Sequence, residues 1–218
     1  TLPAERIDEA VRHMLAAKKR AGLLEAGGDR LDPDAAEAAV HAPEHARTAQ
    51  ETARRAIVLL RDDDRRLPLP ADACLLVVEH RSPLQQREND EWEHSGALHA
   101  ALVQAGFAAR WFDFDGDAFE QALAKARGLA AEADVIVHTG WYHRGGGMRP
   151  EMHREFARLG KPSVFVTNSP YPDIAPADLG TVLFVGNSNR HTMEAVADLL
   201  AGTAELPGGL HFDPTVTA

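Results

Sequence analysis

Residues 141–147 bring together the side chains best suited to ligand chemistry. The segment reads Trp-Tyr-His-Arg-Gly-Gly-Gly and follows an apolar run at residues 134–138. Aromatic rings stack on the apolar faces of sugars, whereas His and Arg side chains hydrogen-bond to hydroxyl groups. We therefore select Trp141, His143 and Arg144 as candidate substrate-binding residues. The alternative is that Trp141 simply packs against the helix that follows.

Glycines 145–147 also raise the question of a phosphate-binding loop, because glycine lets backbone N–H groups approach an anion closely. The sequence contains neither G-x-G-x-x-G between a strand and a helix nor G-x-x-x-x-G-K-[ST]. An ordinary glycine-rich loop is the better interpretation. No nucleotide or other cofactor is predicted.

Metal and nucleophile motifs are equally absent from the sequence. The chain has 11 histidines but no H-E-x-x-H spacing, and Glu151 with His153 is only a two-residue echo of a chelating motif. We expect scattered, solvated histidines and no metal. The serines lack the G-x-S-x-G frame of a hydrolase nucleophile.

An acidic cluster at Glu88, Asp90, Glu91 and Glu93 could contribute a carboxylic acid to glycoside chemistry. Such chemistry needs two carboxyl groups at a set separation around the scissile bond. Charge runs are usually solvated faces. We therefore predict no catalytic residue in this segment.

The elements that position these residues follow a repeating pattern. From residue 74 onward, short apolar runs alternate with helical stretches, which is typical of a mostly parallel sheet covered by helices on both faces. The runs are residues 74–78, 109–112, 134–138, 163–167 and 181–185, and the helical stretches lie near 95–105, 117–132, 149–159 and 190–201. We predict an α/β fold, a three-layer sandwich with about five or six strands. Ligands bind beyond the carboxyl ends of such strands, where residues 141–144 fall.

The first part of the chain has a different pattern. Residues 3–20 place Ile7, Val11, Met14 and Leu15 on one face, which predicts an amphipathic N-terminal helix that needs a partner surface. Another helix should begin near Pro43 and run directly into a short strand at residues 57–60.

Composition narrows the possible partners. The formal net charge of −10, from 33 acidic and 23 basic residues, argues against nucleic acid, which requires clustered Lys and Arg. No apolar run approaches the roughly 20 residues that a membrane span needs. Cys74, the single cysteine, precedes Leu-Leu-Val-Val, so we predict that it is buried and forms no disulfide.

The sequence starts at Thr1 without Met, which indicates a processed product or a piece of a longer chain. A cytoplasmic location is favoured, although a targeting signal could belong to a missing upstream part.

Three segments of the sequence resemble glycoside hydrolase family 3. The segment ARRAIVLLRDDDRRLPLP, residues 53–70, resembles the start of the family's second domain, where Ala-Arg-x-Ser/Ala-Ile-Val-Leu-Leu-Lys-Asn leads to Leu-Pro-Leu. The segment RIDEAVRHMLAAKKRAGLLE, residues 6–25, resembles the helix that closes the family's barrel domain, and TMEAVADLLAGTAELPGGL, residues 192–210, is similar to the family's closing pattern. Ala56 and Asp62 stand where the family often has Ser and Asn.

The resemblance implies a domain organisation and a partner. Residues 1–40 would be the helical tail of a barrel domain plus a linker, and residues 41–218 the C-terminal α/β sandwich domain. The family's barrel carries the Asp nucleophile and most sugar-binding residues, and nothing here resembles its Lys-His-Phe-Pro-Gly-His-Gly segment. The expected partners are therefore the N-terminal barrel domain of the same parent protein and a carbohydrate substrate, with no nucleic acid and no membrane.

The resemblance also favours one branch of the family. Glucosidase-like members take their acid/base Glu from the second domain, whereas hexosaminidase-like members keep a His with an Asp in the barrel. The short loop VVEHRSPLQQRE and the lack of a following β-sandwich resemble the hexosaminidase branch. This implies a retaining hydrolase of terminal β-linked N-acetylhexosamine, with no catalytic residue in this chain. The alternatives are a β-glucosidase-type member with an acid/base Glu here, an independent carbohydrate-binding module and a purely structural domain.

Overall fold

The computed structural model describes residues 2–24, 32–81, 96–115, 118–141, 150–169 and 179–205. The chain forms two compact units, Thr1–Ala46 and Arg47–Ala218. Among the helices in the described ranges, none is both long enough and apolar enough to cross a lipid bilayer. The assignment of residues 1–40 to the tail of a barrel domain stays a prediction.

The first unit contains the predicted amphipathic helix, α1, which spans Ala4–Arg20. Its Glu5 lies in the first turn and Lys18, Lys19 and Arg20 in the last, as the helix dipole favours. None of its residues is buried. The apolar row Ile7, Val11, Met14 and Leu15 is between 47% and 61% exposed.

A second helix, α2 (Pro33–Val40), lies within the predicted linker. The Asp32 carboxylate caps it by accepting hydrogen bonds from the N–H groups of Asp34 and Ala35, both at 3.1 Å. Pro33 occupies the first helical turn, where its missing N–H is not needed. The sequence analysis named no helix at these residues, yet a short side-chain cap and four alanines suffice for two helical turns.

Helix α3 (Pro43–Ala56) runs almost directly into strand β1 (Val58–Asp62), as the sequence predicts. Ala53 is the buried residue of the helix, and Ile57, at the junction, is 2% exposed. The chain then folds back, and the N–H of Leu69 donates to the carbonyl of Leu200 at 2.8 Å.

The second unit is built on a sheet whose six described strands have the order β1-β6-β5-β4-β2-β3. The strands after β1 are β2 (Cys74–Arg81), β3 (Ala108–Asp115), β4 (Val135–Gly140), β5 (Ser163–Thr167) and β6 (Thr181–Phe184). Strand β1 is antiparallel to β6, and the other neighbouring pairs are parallel. This confirms the predicted mostly parallel α/β sheet.

Helices cover both faces of the sheet. Helices α4 (Ala97–Gln104) and α7 (Arg190–Leu200) share one buried apolar cluster with Leu75 and Val77 of β2. Helices α5 (Phe119–Ala130) and α6 (Pro150–Ala157) supply residues to a second cluster, together with Leu76 and Val78. Because alternate residues of β2 enter different clusters, the arrangement is the predicted three-layer sandwich.

The environment of Cys74 corrects a prediction. Cys74 is exposed, whereas its neighbour Leu75 is 2% exposed. The cysteine is the first residue of β2, and its N–H donates to the Asp134 carboxylate at 2.8 Å. It lies at the amino end of the strand, ahead of the stretch that the helices cover on both faces, so an apolar sequence context did not imply burial.

Gly202, just after α7, offers a test of the packing between the helix end and Pro68. Its φ is +73°, and a β-carbon there would lie 2.9 Å from Cβ of Pro68. Gly160 has a similar φ of +76° with no described atom within 4 Å of such a carbon. We expect Gly160→Ala to lower the free energy of unfolding by about 1–2 kcal/mol through backbone strain. Gly202→Ala should cost about 1–3 kcal/mol more because of the clash.

Urea denaturation of both variants measures this difference. Equal losses for the two substitutions would show that Pro68 moves away freely and that the close contact does not constrain the end of α7.

Candidate functional site

The candidate site lies at the edge of the sheet where the parallel strands end. Strand β2 ends at Arg81, β4 at Gly140 and β5 at Thr167. In open α/β sheets this edge is where ligands bind. The loops 82–95, 142–149 and 170–178 that continue from these strands lie outside the described residues. His143, Arg144 and the acidic cluster at 88–93 fall in these loops. The roles predicted for them stay predictions.

Trp141, the third candidate residue, is part of the protein core. It is 6% exposed and belongs to the same buried cluster as Leu98 of α4 and Val166 of β5. Its backbone N–H donates to Nδ1 of His80 at 3.4 Å, a long hydrogen bond. Burial leaves little of the indole ring for stacking on a sugar. The sugar-binding role of Trp141 stays a prediction.

Glu79 was not selected from the sequence, yet it anchors the helix at this edge. Its carboxylate accepts hydrogen bonds from the N–H groups of Gly96 and His99, each at 3.0 Å. Gly96 is the N-cap residue of α4 and has no side chain to cap the helix itself. Glu79 thus supplies the cap from β2 and fixes the point where the chain returns from loop 82–95.

Glu79 is 5% exposed. Burial raises the pKa of Glu79 above its ordinary value, and the hydrogen bonds from His99 and Gly96 oppose that rise. A carboxylate that already accepts two backbone N–H groups is poorly placed to act as a mobile acid or base. We interpret Glu79 as a structural anchor.

His80 connects β2 to the end of β4. Its N–H donates to Oγ1 of Thr139 at 2.9 Å, and its Nδ1 accepts the N–H of Trp141. Burial lowers the pKa of His80 to about 4, against an opposing effect of the Asp115 carboxylate. The imidazole is therefore neutral near pH 7, with the proton on Nε2, and holds the residue from which loop 142–149 departs.

Glu79 and His80 lie in β2, although the apolar run predicted from the sequence ended at residue 78. The strand continues because β3 is longer than predicted, and the two strands pair in parallel as far as Arg81 and Asp115. The signal that was missed is the alternation of side chains between the two faces of the sheet, which continues through Glu79 and His80. Each of these polar side chains has a hydrogen-bond partner on its own face.

The polar residues before α7 are engaged in capping. Oδ1 of Asn189 accepts the N–H of Thr192 at 3.0 Å, and Oδ1 of Asn187 accepts the Thr192 hydroxyl at 2.6 Å. These amide oxygens stabilise the start of the helix.

Histidine burial corrects another prediction. His80, His138 and His153 are between 0% and 4% exposed, whereas the sequence analysis expected solvated histidines. A neutral imidazole tolerates burial among aromatic rings. Spacing rules for metal ligands do not detect such burial. Glu151 is exposed, so it does not share the environment of His153. Within the described ranges no group of three or more His, Cys, Asp or Glu residues is arranged to hold a metal ion.

Solved structures with the same fold include sugar-active enzymes. A glycoside hydrolase family 3 β-N-acetylglucosaminidase from Paenibacillus sp. str. FPU-7 matches 100% of this chain and 41% of its own, with 19% identity and a TM-score of 0.75. A β-glucosidase from Listeria innocua in complex with isofagomine matches 93% of this chain and 31% of its own, with 20% identity and a TM-score of 0.66. The β-glucoside phosphorylase BglX bound to 2FGlc matches 98% of this chain and 39% of its own, with 21% identity and a TM-score of 0.63.

Sequence-level comparisons found no match, either among models of known protein families or among curated proteins. The chain spans less than half of each of the three solved chains. At this level of identity the likeness establishes the fold. The chain therefore has the fold of a region found within larger glycoside hydrolases, including one of family 3.

Trp141 allows its structural role to be separated from a role in binding. Because the ring is buried, we expect Trp141→Ala to lower the free energy of unfolding by about 3–5 kcal/mol. Trp111, which is 37% exposed and stacks on His99 at 5.7 Å, is the matched control. Trp111→Ala should cost about 1–2 kcal/mol.

Urea denaturation of the two variants gives these values. If Trp141→Ala were no more destabilising than Trp111→Ala, the indole of Trp141 would not be a core residue, and its candidacy as a sugar-stacking side chain would gain support.

Proposed function

We propose that this chain is the C-terminal α/β domain of a retaining family 3 glycoside hydrolase that removes terminal β-linked N-acetylhexosamine in cell-wall sugar turnover. The observation that carries the proposal is the fold likeness to the Paenibacillus β-N-acetylglucosaminidase, which extends over all of this chain and less than half of that one. The three sequence segments that resemble family 3 add support, because they occur in the family's order along the chain.

In this proposal the chain supports an active site that is completed by an upstream barrel domain. The exposed apolar row of α1 supports it, since Ile7, Val11, Met14 and Leu15 are each about half exposed or more and call for a covering surface. The anchored strand end at Glu79 and His80 would hold the points where loops 82–95 and 142–149 begin or end. His143 and Arg144, in the second of these loops, would contact the sugar at the rim of the site.

A β-glucosidase-type activity is the second candidate, because the Listeria β-glucosidase also shares the fold. That reading requires an acid/base Glu from this domain. Glu79 is unsuited to this role because both of its carboxylate oxygens accept backbone N–H groups. The remaining candidates are the carboxylates at 88–93, outside the described residues.

Activity is expected only when the chain is joined to the barrel encoded upstream of it. The chain alone should release no nitrophenol from 4-nitrophenyl N-acetyl-β-glucosaminide, because the nucleophile belongs to the barrel. The longer protein should hydrolyse that substrate at least about tenfold faster than the β-glucoside, since a site built to hydrogen-bond the acetamido group discriminates strongly against its absence.

The same assay tests the rim residues and the alternatives. Arg144→Ala in the longer protein should raise KM with little change in kcat, and Arg20→Ala in α1 is the matched control. An upstream coding sequence without a barrel, or a longer protein inactive on both substrates, contradicts the proposal. Faster turnover of the glucoside, abolished by substitution within 88–93, supports the β-glucosidase reading instead.

A further inference from the structure

Three histidines lie in the aromatic layer beneath α5 and α6. His80 comes from β2, His138 from β4 and His153 from α6, and they are 4%, 0% and 1% exposed. Phenylalanine rings surround them. Phe165 lies 5.0 Å from His138 and 4.0 Å from His153, and Phe156 lies 5.7 Å from His138, all measured between ring centroids.

His138 and His153 face each other through the same ring atom. Their Nδ1 atoms are 3.4 Å apart, and the ring planes differ by only 23°. A hydrogen bond between two Nδ1 atoms needs one donor and one acceptor, so the two neutral rings must carry opposite tautomers. Neither Nε2 atom has a hydrogen-bond partner within the part of the chain that the structure describes. The pair is therefore held by one internal hydrogen bond and by aromatic packing.

Few charges are placed to stabilise a protonated form of this pair. Asp115 of β3 acts on His80, while Glu79 of β2 is engaged with α4. Strands β4 and β5 carry no Asp, Glu, Lys or Arg. The charged side chains of the covering helices α5 and α6 are exposed or only partly buried: Glu120, Lys125, Arg127, Glu151, Arg154 and Glu155. Within the described ranges, no carboxylate forms an ion pair with His138 or His153.

Because no nearby charge among the described residues offsets the cost of burying a protonated ring, the pKa values of His138 and His153 are lowered. Burial lowers the pKa of His138 to about 3. Burial also lowers the pKa of His153 well below its ordinary value, and the neighbouring His138 and His80 lower it further. In a state where these rings meet water, each would titrate near pH 6.5. The closed state thus has its full stability above pH 6.5 and loses it as pH falls, because the open state then binds more protons.

Two buried side chains attach helix α6 to the sheet, and one of them belongs to this pair. Among its described side chains, His153 and Phe156 are the buried ones. A helix of eight residues has little stability of its own in water, so its position relies on such contacts. Loop 142–149 leads directly into the helix.

We propose that the His138–His153 pair is an acid-operated latch, which holds α6 against β4 while both rings are neutral and releases the helix when the solution becomes acidic. The device does not depend on the proposed sugar chemistry.

Hydrogen exchange of the intact chain tests the latch. After correction for intrinsic rates, the hydrogen-bonded amides 154–157 should open about 20–30-fold more often at pH 5 than at pH 7 for each histidine released. Amides 192–200 of α7 serve as the internal reference and should change much less. An α6 response below about threefold, or one equal to that of α7, would overturn the proposal.

A variant assigns the effect to the pair. His153→Gln keeps a polar side chain of similar length that does not titrate, and it should reduce the pH response of amides 154–157 by the contribution of one histidine. His41→Gln, at an exposed position, is the matched control and should leave the response unchanged. An unaltered response in His153→Gln would contradict the latch.

If His153→Gln fails to fold, nitrogen-15 NMR of the unmodified protein still decides the matter. At pH 6 the latch requires two neutral rings, one protonated on Nδ1 and the other on Nε2. Identical tautomers, or a protonated ring at that pH, would exclude it.

Discussion

The register of strand β2 is the constraint on which the second unit depends. The strand pairs with β3 along its whole length, from Cys74 opposite Ala108 to Arg81 opposite Asp115, and with β4 on its other side. Since side chains alternate between faces, Glu79 points to α4 and His80 to the aromatic layer. A slip of one residue would exchange them, placing a carboxylate among phenylalanine rings and an imidazole under a helix N-terminus. Two adjacent polar residues therefore fix the register more strictly than apolar packing could.

Most of the fold could be predicted because buried parallel strands and amphipathic helices leave strong patterns. The runs at residues 134–138 and 163–167 became β4 and β5 almost unchanged. Helix α2 was missed because its stability comes from the cap at Asp32 rather than from an apolar face. The burial of Cys74 was predicted wrongly because a strand's amino end projects beyond its helical cover, which composition does not record.

The candidate site was harder to predict from the sequence, for a physical reason. Chemical character drew attention to residues 141–144, but Trp141 is amphipathic and serves a core as readily as a ligand. Glu79 and His80 were passed over because their partners, Gly96, His99, Thr139 and Trp141, are 17 to 61 residues away. Histidine–histidine contacts such as that of His138 with His153 are likewise set by tertiary structure. Such roles become visible only when the sheet brings distant segments together.

The exposed apolar row of α1 also affects how a cell would handle the protein. Chaperones and quality-control proteases bind apolar segments that are left in water. A copy whose row Ile7, Val11, Met14 and Leu15 found no cover would be retained or degraded. Because the proposed covering surface belongs to the same parent chain, the row would mark copies in which the barrel is missing or misfolded, and quality control would act on that defective product.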